Sequence, residues 1–533
     1  MHGVRSHLIA VIVAAALTAC GSDSTTPSPS VSETRGTLYQ APPLRIASLD
    51  AATLNAELAG NSSGAQLLQL TGTPACGVDF YYLKFWTVDG AGDATLSTGA
   101  LMVPTGAAPK CSGPRPIVLY AHATQTNKLF NIANITDPTN TEGALIAAMF
   151  AAQGYIGVAP NYAGYDISQL YYHPFLNATQ QSSEMIDILT AARTALPNTF
   201  AAATSDNGQL FVTGYSEGGH VAMATLRAMQ AASMKVTAAA PMSGPYALEA
   251  FGDAVIFGNV NLGSTVYFPL VTTSYQHAYG NIYTATTDIY SATYANGIDT
   301  LLPSATPLDT IFQQGLLPET ALFNSTTPTV TVPGNPGLSA ALTAALSEPP
   351  PNSSPEAPLF DLGFGSPYLI NDSVRVAYAL DAAADPDGED SPITGMAPAP
   401  NLAAAPPTYP LRAAFYLNDM RYGSWAPTAP TLLCGGDQDP EVFYSVNTGT
   451  MVAFWSGLPA GLITELDVGL YPPPPGLFAP IQTAFYNSQV SELAALEMSG
   501  LSPAAAQQQL VQNYHSGVAP FCALAARSFF SQF

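Results

Sequence analysis

The sequence is short of charge. Only 10% of its 533 residues are charged, and basic residues are the scarcest: 14 Lys+Arg stand against 37 Asp+Glu, for a net charge of −23. Nucleic-acid binding needs Lys and Arg to neutralise phosphates, so that class of function is excluded. Cysteines number five, with no CxxC, no HExxH and no His pair at i, i+4, so nothing has the spacing of a zinc site. Heptads are absent and the 43 Gly and 46 Pro are scattered, which excludes coiled coil and collagen. Beyond the first 20 residues, no run approaches the roughly 20 apolar residues that span a bilayer. Apolar residues, by contrast, are plentiful at 47%, enough to build a core and to exclude extended disorder. A chain of this length holds one large domain with an insertion or two to four ordinary domains. So large a globular chain with so few charges is expected to be exported.

Residues 1–20 (MHGVRSHLIAVIVAAALTAC) join a basic start, Arg5, to a short apolar stretch, Leu8–Ala16. That stretch reads as a signal peptide, too short for a permanent span. Its end, Leu17-Thr18-Ala19-Cys20, resembles the lipobox of bacterial lipoproteins. The resemblance implies that Cys20 becomes the lipidated first residue; the alternative is an ordinary cleaved signal with an incidental Cys. Gly21 in place of Asp implies the outer membrane, on its periplasmic or cell-surface face. A Ser/Thr/Pro-rich tether is expected over 21–45, leaving a body whose only membrane contact is its lipid anchor. A monomer is expected.

Four cysteines remain: Cys76, Cys111, Cys434 and Cys522. An even count in an oxidising compartment suggests two disulfides, with three connectivities open, or else buried thiols. Cys76–Cys111 and Cys434–Cys522 are preferred, because each pair falls within one end of the fold argued next.

Phe80–Val88 and Ala94–Pro104 read as an antiparallel pair turning at Asp89–Asp93. Then strand-like and helical segments alternate: Pro116–Ala121, Thr141–Gln153, Tyr155–Pro160, Gln181–Leu196, Gln209–Gly214, Glu217–Ala232 and Val236–Pro241. This rhythm predicts an α/β fold, a mostly parallel eight-stranded sheet with helices on both faces. It breaks near Gly244 and resumes with Pro430–Gly435 and Leu462–Val468. The expected organisation is therefore a core over 46–244 and 411–533, with a large cap or lid inserted at 245–410. That insertion is rich in Tyr, including Tyr267, Tyr275, Tyr279, Tyr283, Tyr290 and Tyr294, which either line a pocket or pack cap against core. Asp385–Asp390 lacks the register of a calcium loop and reads as a solvated turn.

Gly214-Tyr215-Ser216-Glu217-Gly218 fits G-x-S-x-G, in which a serine projects from a tight strand-to-helix turn flanked by small residues. So short a pattern recurs by chance, and Gly60-Asn61-Ser62-Ser63-Gly64 also fits it. No apolar strand precedes that second match, and a strand rather than a helix is expected after it. At 214–218 a strand runs in and a helix runs out, so Ser216 is the candidate nucleophile. A serine hydroxyl needs a base, itself oriented by a carboxylate. In this arrangement the acid and then the base follow the serine along the chain. Of seven histidines, His2 and His7 lie in the signal, His122 and His173 precede the serine, His220 follows it on the same helix, and His277 falls in the insertion. His515 remains, expected in a loop before a C-terminal helix. The strand ending at Gly435 offers Asp437 and Asp439, of which Asp439 is preferred. Backbone N–H groups of Glu217 and Thr124 are the expected oxyanion donors.

LYAHATQ (119–125), GVAPNYAGYD (157–166), VTGYSEGGHVAM (212–223), PTLLCGGDQDPEVFY (430–444) and the segment around His515 together resemble the α/β-hydrolase superfamily. Within it, the chain is similar to secretory lipases and esterases with a large lid after the sixth strand. The resemblance implies a Ser216–His515–Asp439 triad, an acyl-enzyme, hydrophobic ester substrates and neither metal nor organic cofactor. Ala123 replaces the commoner Gly of the oxyanion loop. The acid-to-base interval is longer than usual, implying a second, helical insertion at 470–510. A peptidase or amidase of the same fold, and a non-catalytic surface binding lipoprotein, are the alternatives.

Overall fold

Two kinds of apolar patterning set the layers. In the segment Gly77–Val88, Tyr81, Leu83, Phe85 and Thr87 are buried while Tyr82, Lys84, Trp86 and Val88 are half-buried, the period-two alternation of a strand with one face on a core. Ile156–Pro160 and Ala238–Met242 are buried at every position, as strands covered by helices on both faces must be. The computed structural model describes residues 34–137, 139–200, 203–347, 355–386, 401–402 and 406–533. The signal peptide, Cys20 and most of the Asp385–Asp390 turn lie outside the described residues.

The central sheet contains β1 (Leu44–Leu49), β2 (Gly77–Val88), β3 (Ala94–Thr105), β4 (Gly113–Ala121), β5 (Ile156–Pro160), β6 (Thr204–Tyr215), β7 (Ala238–Met242), β8 (Thr431–Gly435) and β9 (Ile463–Asp467). Their spatial order is β1-β2-β3-β5-β4-β6-β7-β8-β9, antiparallel from β1 through the β3–β5 pair and parallel among β4 to β9. The sheet has nine strands where the sequence suggested eight. The extra one is β1, and the tether expected over 21–45 accordingly ends sooner. Arg35 pairs with Asp187 at 3.0 Å, and the Gly36 N–H donates to Trp86 O at 2.9 Å. Leu38 bridges Phe85.

Helices α1 (Ala51–Ala59) and α2 (Ser62–Thr71) follow β1, α3 (Thr141–Met149) and α4 (Ala178–Ala195) flank β5, and α5 (Glu217–Ala231) leaves β6. The insertion contributes α6 (Leu248–Ile256), α7 (Ser264–Tyr279), α8 (Asp372–Ala384) and α9 (Pro410–Asn418), and it packs around a hydrophobic cluster of its own that includes Tyr275, Tyr290 and Tyr378. Arg412 on α9, fully buried, ties the insertion together. It donates to Asp253 of α6 at 2.9 and 3.0 Å, and lies 2.9 Å from Glu249 and 3.5 Å from Asp381 of α8. Helices α10 (Ala479–Met498) and α11 (Pro503–Gln512) occupy the stretch expected to be a helical insertion, and α12 (Tyr514–Phe530) closes the chain. Disulfides join Cys76 to Cys111 and Cys434 to Cys522, the pairing preferred from the sequence. No helix among the described residues is long and apolar enough to cross a membrane.

Chain connections leave β4 and β6 in opposite directions across the sheet, since β4 leads to β5 on one side and β6 to β7 on the other. In open α/β sheets the crevice at the carboxyl ends of such strands is where ligands bind.

Candidate active site

Ser216 stands between the end of β6 and the start of α5 with φ 59° and ψ −123°, a region a non-glycine residue occupies only under strain. Its neighbours leave no choice of residue. A Cβ on Gly214 would lie 2.3 Å from Gly218 O and 2.5 Å from Ala121 O, and one on Gly218 would lie 2.0 Å from Ala121 O. The turn is pinned from the adjacent strand by the Ser216 N–H, which donates to Met242 O at 3.0 Å. The rival match at 60–64 joins α1 to α2. A helix does follow it, contrary to the strand expected, because Asn61 caps α2 by accepting the Gly64 N–H at 2.8 Å. No strand enters it, so it lacks the bend.

His515 lies in the first turn of α12, not in a loop; Asn513 alone separates α11 from α12. Its Nδ1 donates to Asp439 Oδ2 at 2.6 Å. The other Asp439 oxygen accepts the N–H groups of Glu441 and Val442, both at 2.9 Å, which fixes the carboxylate on the loop beyond β8. Burial opposes a charged ring, but the Asp439 and Glu441 charges and the Asp439 hydrogen bond outweigh it and push His515 up to about 9. Tyr215, next to the serine, donates its hydroxyl to His515 O and packs its ring against the imidazole with centroids 4.9 Å apart. With Nδ1 engaged, Nε2 is the free ring nitrogen. Among the described residues no hydrogen bond joins it to the Ser216 hydroxyl, and such contacts often tighten only when substrate is bound. Asp437 points elsewhere: it is exposed and accepts from Tyr514 Oη at 3.1 Å.

The loop after β4 is held by a half-buried acid. Glu142, in the first turn of α3, accepts the Ala123 N–H at 3.0 Å with both oxygens and the Tyr120 hydroxyl at 2.8 Å. Burial pushes its carboxyl up to about 7. His122 lies beneath, its ring nitrogens facing the carbonyls of Ala123 at 2.7 Å and Asn161 at 3.1 Å, and burial pushes it down to about 4, so it stays neutral. The N–H groups of Thr124 and Glu217 donate to no other group among the described residues. Both residues border the same cleft as Ser216. The Glu217 side chain turns away, accepting from His173 Nε2 at 2.6 Å and Gln181 Nε2 at 2.5 Å. Burial would raise its carboxyl, and His173 and Gln181 reverse the sign and lower it.

The cleft beside Ser216 is open to solvent, and about 770 Å³ of space, solvent included, lies between its walls. Its walls are largely apolar side chains of the insertion, among them Phe251, Val255, Phe268, Val271 and Phe415. Of the six insertion tyrosines singled out above, Tyr267 borders the cleft, whereas Tyr275, Tyr290 and Tyr294 are buried in the cap. No group of His, Cys, Asp and Glu among the described residues could hold a metal ion.

No protein-family model and no curated protein matches the chain. Solved structures do. The rice cell wall degrading esterase LipA from Xanthomonas oryzae is 23% identical and superposes with a TM-score of 0.59 over 81% of this chain and 91% of that one. A candidate hydrolase from Legionella pneumophila is 18% identical, with a TM-score of 0.58 over 92% and 96%. The fold is that of the α/β-hydrolases. Within that α/β-hydrolase frame the remaining histidines stand apart from the Asp439–His515 pair. His220 Nε2 meets Asn418 O at 2.9 Å, and burial pushes it down to about 4. His277 stacks on Tyr172 at 3.8 Å. Sequence reasoning missed Tyr215, Glu142, Glu441 and the His173–Glu217 pair as site residues. Glu142 carried a signal, a lone carboxylate opening a helix that is otherwise nearly all apolar.

Proposed function

We propose that the protein is a serine hydrolase of carboxylic esters. Ser216 Oγ attacks the ester carbonyl as His515 Nε2 takes its proton. Asp439 holds the ring through Nδ1 and stabilises the imidazolium. The N–H groups of Thr124 and Glu217 receive the oxyanion. The imidazolium then protonates the departing alcohol, and water admitted to the site releases the acid from the acyl-serine. No step calls for a metal or organic cofactor. The observation that carries this reading is the left-handed serine at the end of β6, at the same carboxyl end of the parallel strands as a carboxylate-bound imidazole that Tyr215 contacts. The apolar cleft beside Ser216 supports a hydrophobic acyl or alcohol group in the substrate. Purified protein lacking its first 32 residues, which keeps the Arg35 and Gly36 contacts, should cleave p-nitrophenyl esters of graded chain length and spare peptide p-nitroanilides. The opposite preference would make it a peptidase, and inertness toward both would leave a binding protein.

Two disulfides support an exported location, and the Leu17–Cys20 segment supports a lipid anchor. Radiolabelled palmitate should enter the wild-type protein in cells and not Cys20→Ser. Equal labelling of both would remove the anchor from the account.

A further inference from the structure

Asp439 and Glu441 stand two residues apart on the loop beyond β8, and the loop turns their carboxylates to different tasks. Asp439 faces His515. Glu441 borders the cleft that also contains Ser216. Its Oε2 accepts the Tyr267 hydroxyl at 2.6 Å, and its Oε1 has no hydrogen-bond partner among the described residues. The nearby wall includes Val255, Phe268 and Val271, and among the described residues no Lys or Arg borders the cleft. Glu217 borders it too, but its carboxylate is buried, with one oxygen held by His173 and Gln181, whereas Glu441 is only half-buried. Glu441 is therefore the carboxylate that a substrate chain meets, with one phenol as its only hydrogen-bond donor.

We propose that Glu441 is a specificity residue that excludes acyl groups carrying a negative charge and so restricts the enzyme to neutral esters. This rests on the hydrolase reading above. Like charges repel most strongly where apolar walls keep the local dielectric low, no Lys or Arg among the described lining residues offsets a second carboxylate, and His515 is neutral in the form that takes the serine proton. An uncharged chain meets the same apolar walls without that penalty. The hydrogen bond from Tyr267 on α7 fixes where the carboxylate stands.

The test compares kcat/KM for p-nitrophenyl hexanoate and mono-p-nitrophenyl glutarate, neutral and anionic esters of similar length and identical leaving group. Glu441→Gln should raise the anionic-to-neutral ratio about tenfold or more, the change expected from removing a modest repulsion. Taking the ratio on one enzyme cancels any effect of the variant on His515 or on the amount of folded protein. Tyr267→Phe, which leaves the charge and removes its hydrogen bond, should keep the ratio at or below the wild-type value. An unchanged ratio in Glu441→Gln overturns the proposal. So does an equal rise in Tyr267→Phe, since the contact between cap and loop, not the charge, would then be the cause. If the wild type cleaves neither ester, the hydrolase reading fails, and this inference with it.

Discussion

Nδ1 of His515 lies 2.6 Å from Oδ2 of Asp439, although 76 residues separate them along the chain. One unit of structure brings them together. Asp439 follows β8, His515 opens α12, and the Cys434–Cys522 disulfide joins that strand to that helix. Helices α10 and α11 lengthen the interval without disturbing the contact. Because the Nδ1–H donates to the carboxylate, the ring presents Nε2 as the nitrogen able to accept a proton.

Asp439→Asn should therefore reduce kcat by roughly 10⁴-fold, the scale seen when an orienting carboxylate is lost and the imidazole adopts the wrong tautomer. His220→Ala should remain within about tenfold of wild type, since that ring meets Asn418 and not the site. Steady-state kinetics on ester substrate checks both. A larger loss in His220→Ala than in Asp439→Asn would reassign the base.

The pH dependence has a definite sign. Neutral imidazole accepts the serine proton, and His515 is held up at about 9 against an ordinary value of 6.5. In the free enzyme kcat/KM should climb about tenfold per pH unit above neutrality and level off near pH 9. Glu441→Gln removes one of the charges that raise it, so the limb should move to lower pH. Stability runs the other way. The raised pKa contributes stability that is fully present below about 6.5 and is lost as pH rises through about 9. Urea midpoints should fall over that window in wild type and fall less in His515→Gln.

Removing Cys434–Cys522 by double substitution to Ala should cost about 4–5 kcal/mol in the chain-entropy model for a loop of 88 residues. Activity should fall further than stability alone predicts, because the cross-link joins the acid's strand to the base's helix. Denaturant unfolding alongside kcat at a temperature where the variant is folded separates the two effects.

Arg412 makes the cap sensitive to a single change. The guanidinium is fully buried among Asp253, Glu249 and Asp381, so Arg412→Met leaves three carboxylates without their cation. A loss of about 3–5 kcal/mol is expected, measured by denaturant unfolding. Replacing the whole cluster with apolar residues of similar volume should cost less than the single substitution.

The sheet and its elbow were legible because their physics is local. The apolar run into Ser216, the small residues at 214 and 218 and the amphipathic run out of it are all written in adjacent positions. His515 follows from chain order and elimination, whereas chain order leaves two carboxylates after β8, of which Asp439 is preferred by its resemblance to the loop pattern of other hydrolases. Local physics says less about what tertiary contact decides. Strand β1, of which Leu44 and Arg45 fell in the expected tether, carries little signal of its own because its residues are mostly exposed and it is held by pairing with β2. His515 looked like a loop residue because Asn513 interrupts two helices for one position only. Glu142 and Tyr215 acquire their roles through partners distant in sequence, 19 residues away at Ala123 and 300 away at His515.

The central claim is that Ser216 is an activated nucleophile, and covalent labelling reads it most directly. A fluorophosphonate probe, followed by peptide mapping by mass spectrometry, should place a single adduct on Ser216, formed rapidly in wild type and lost or strongly slowed in His515→Ala. Absence of an adduct, or an adduct on another serine such as Ser62, would contradict the account.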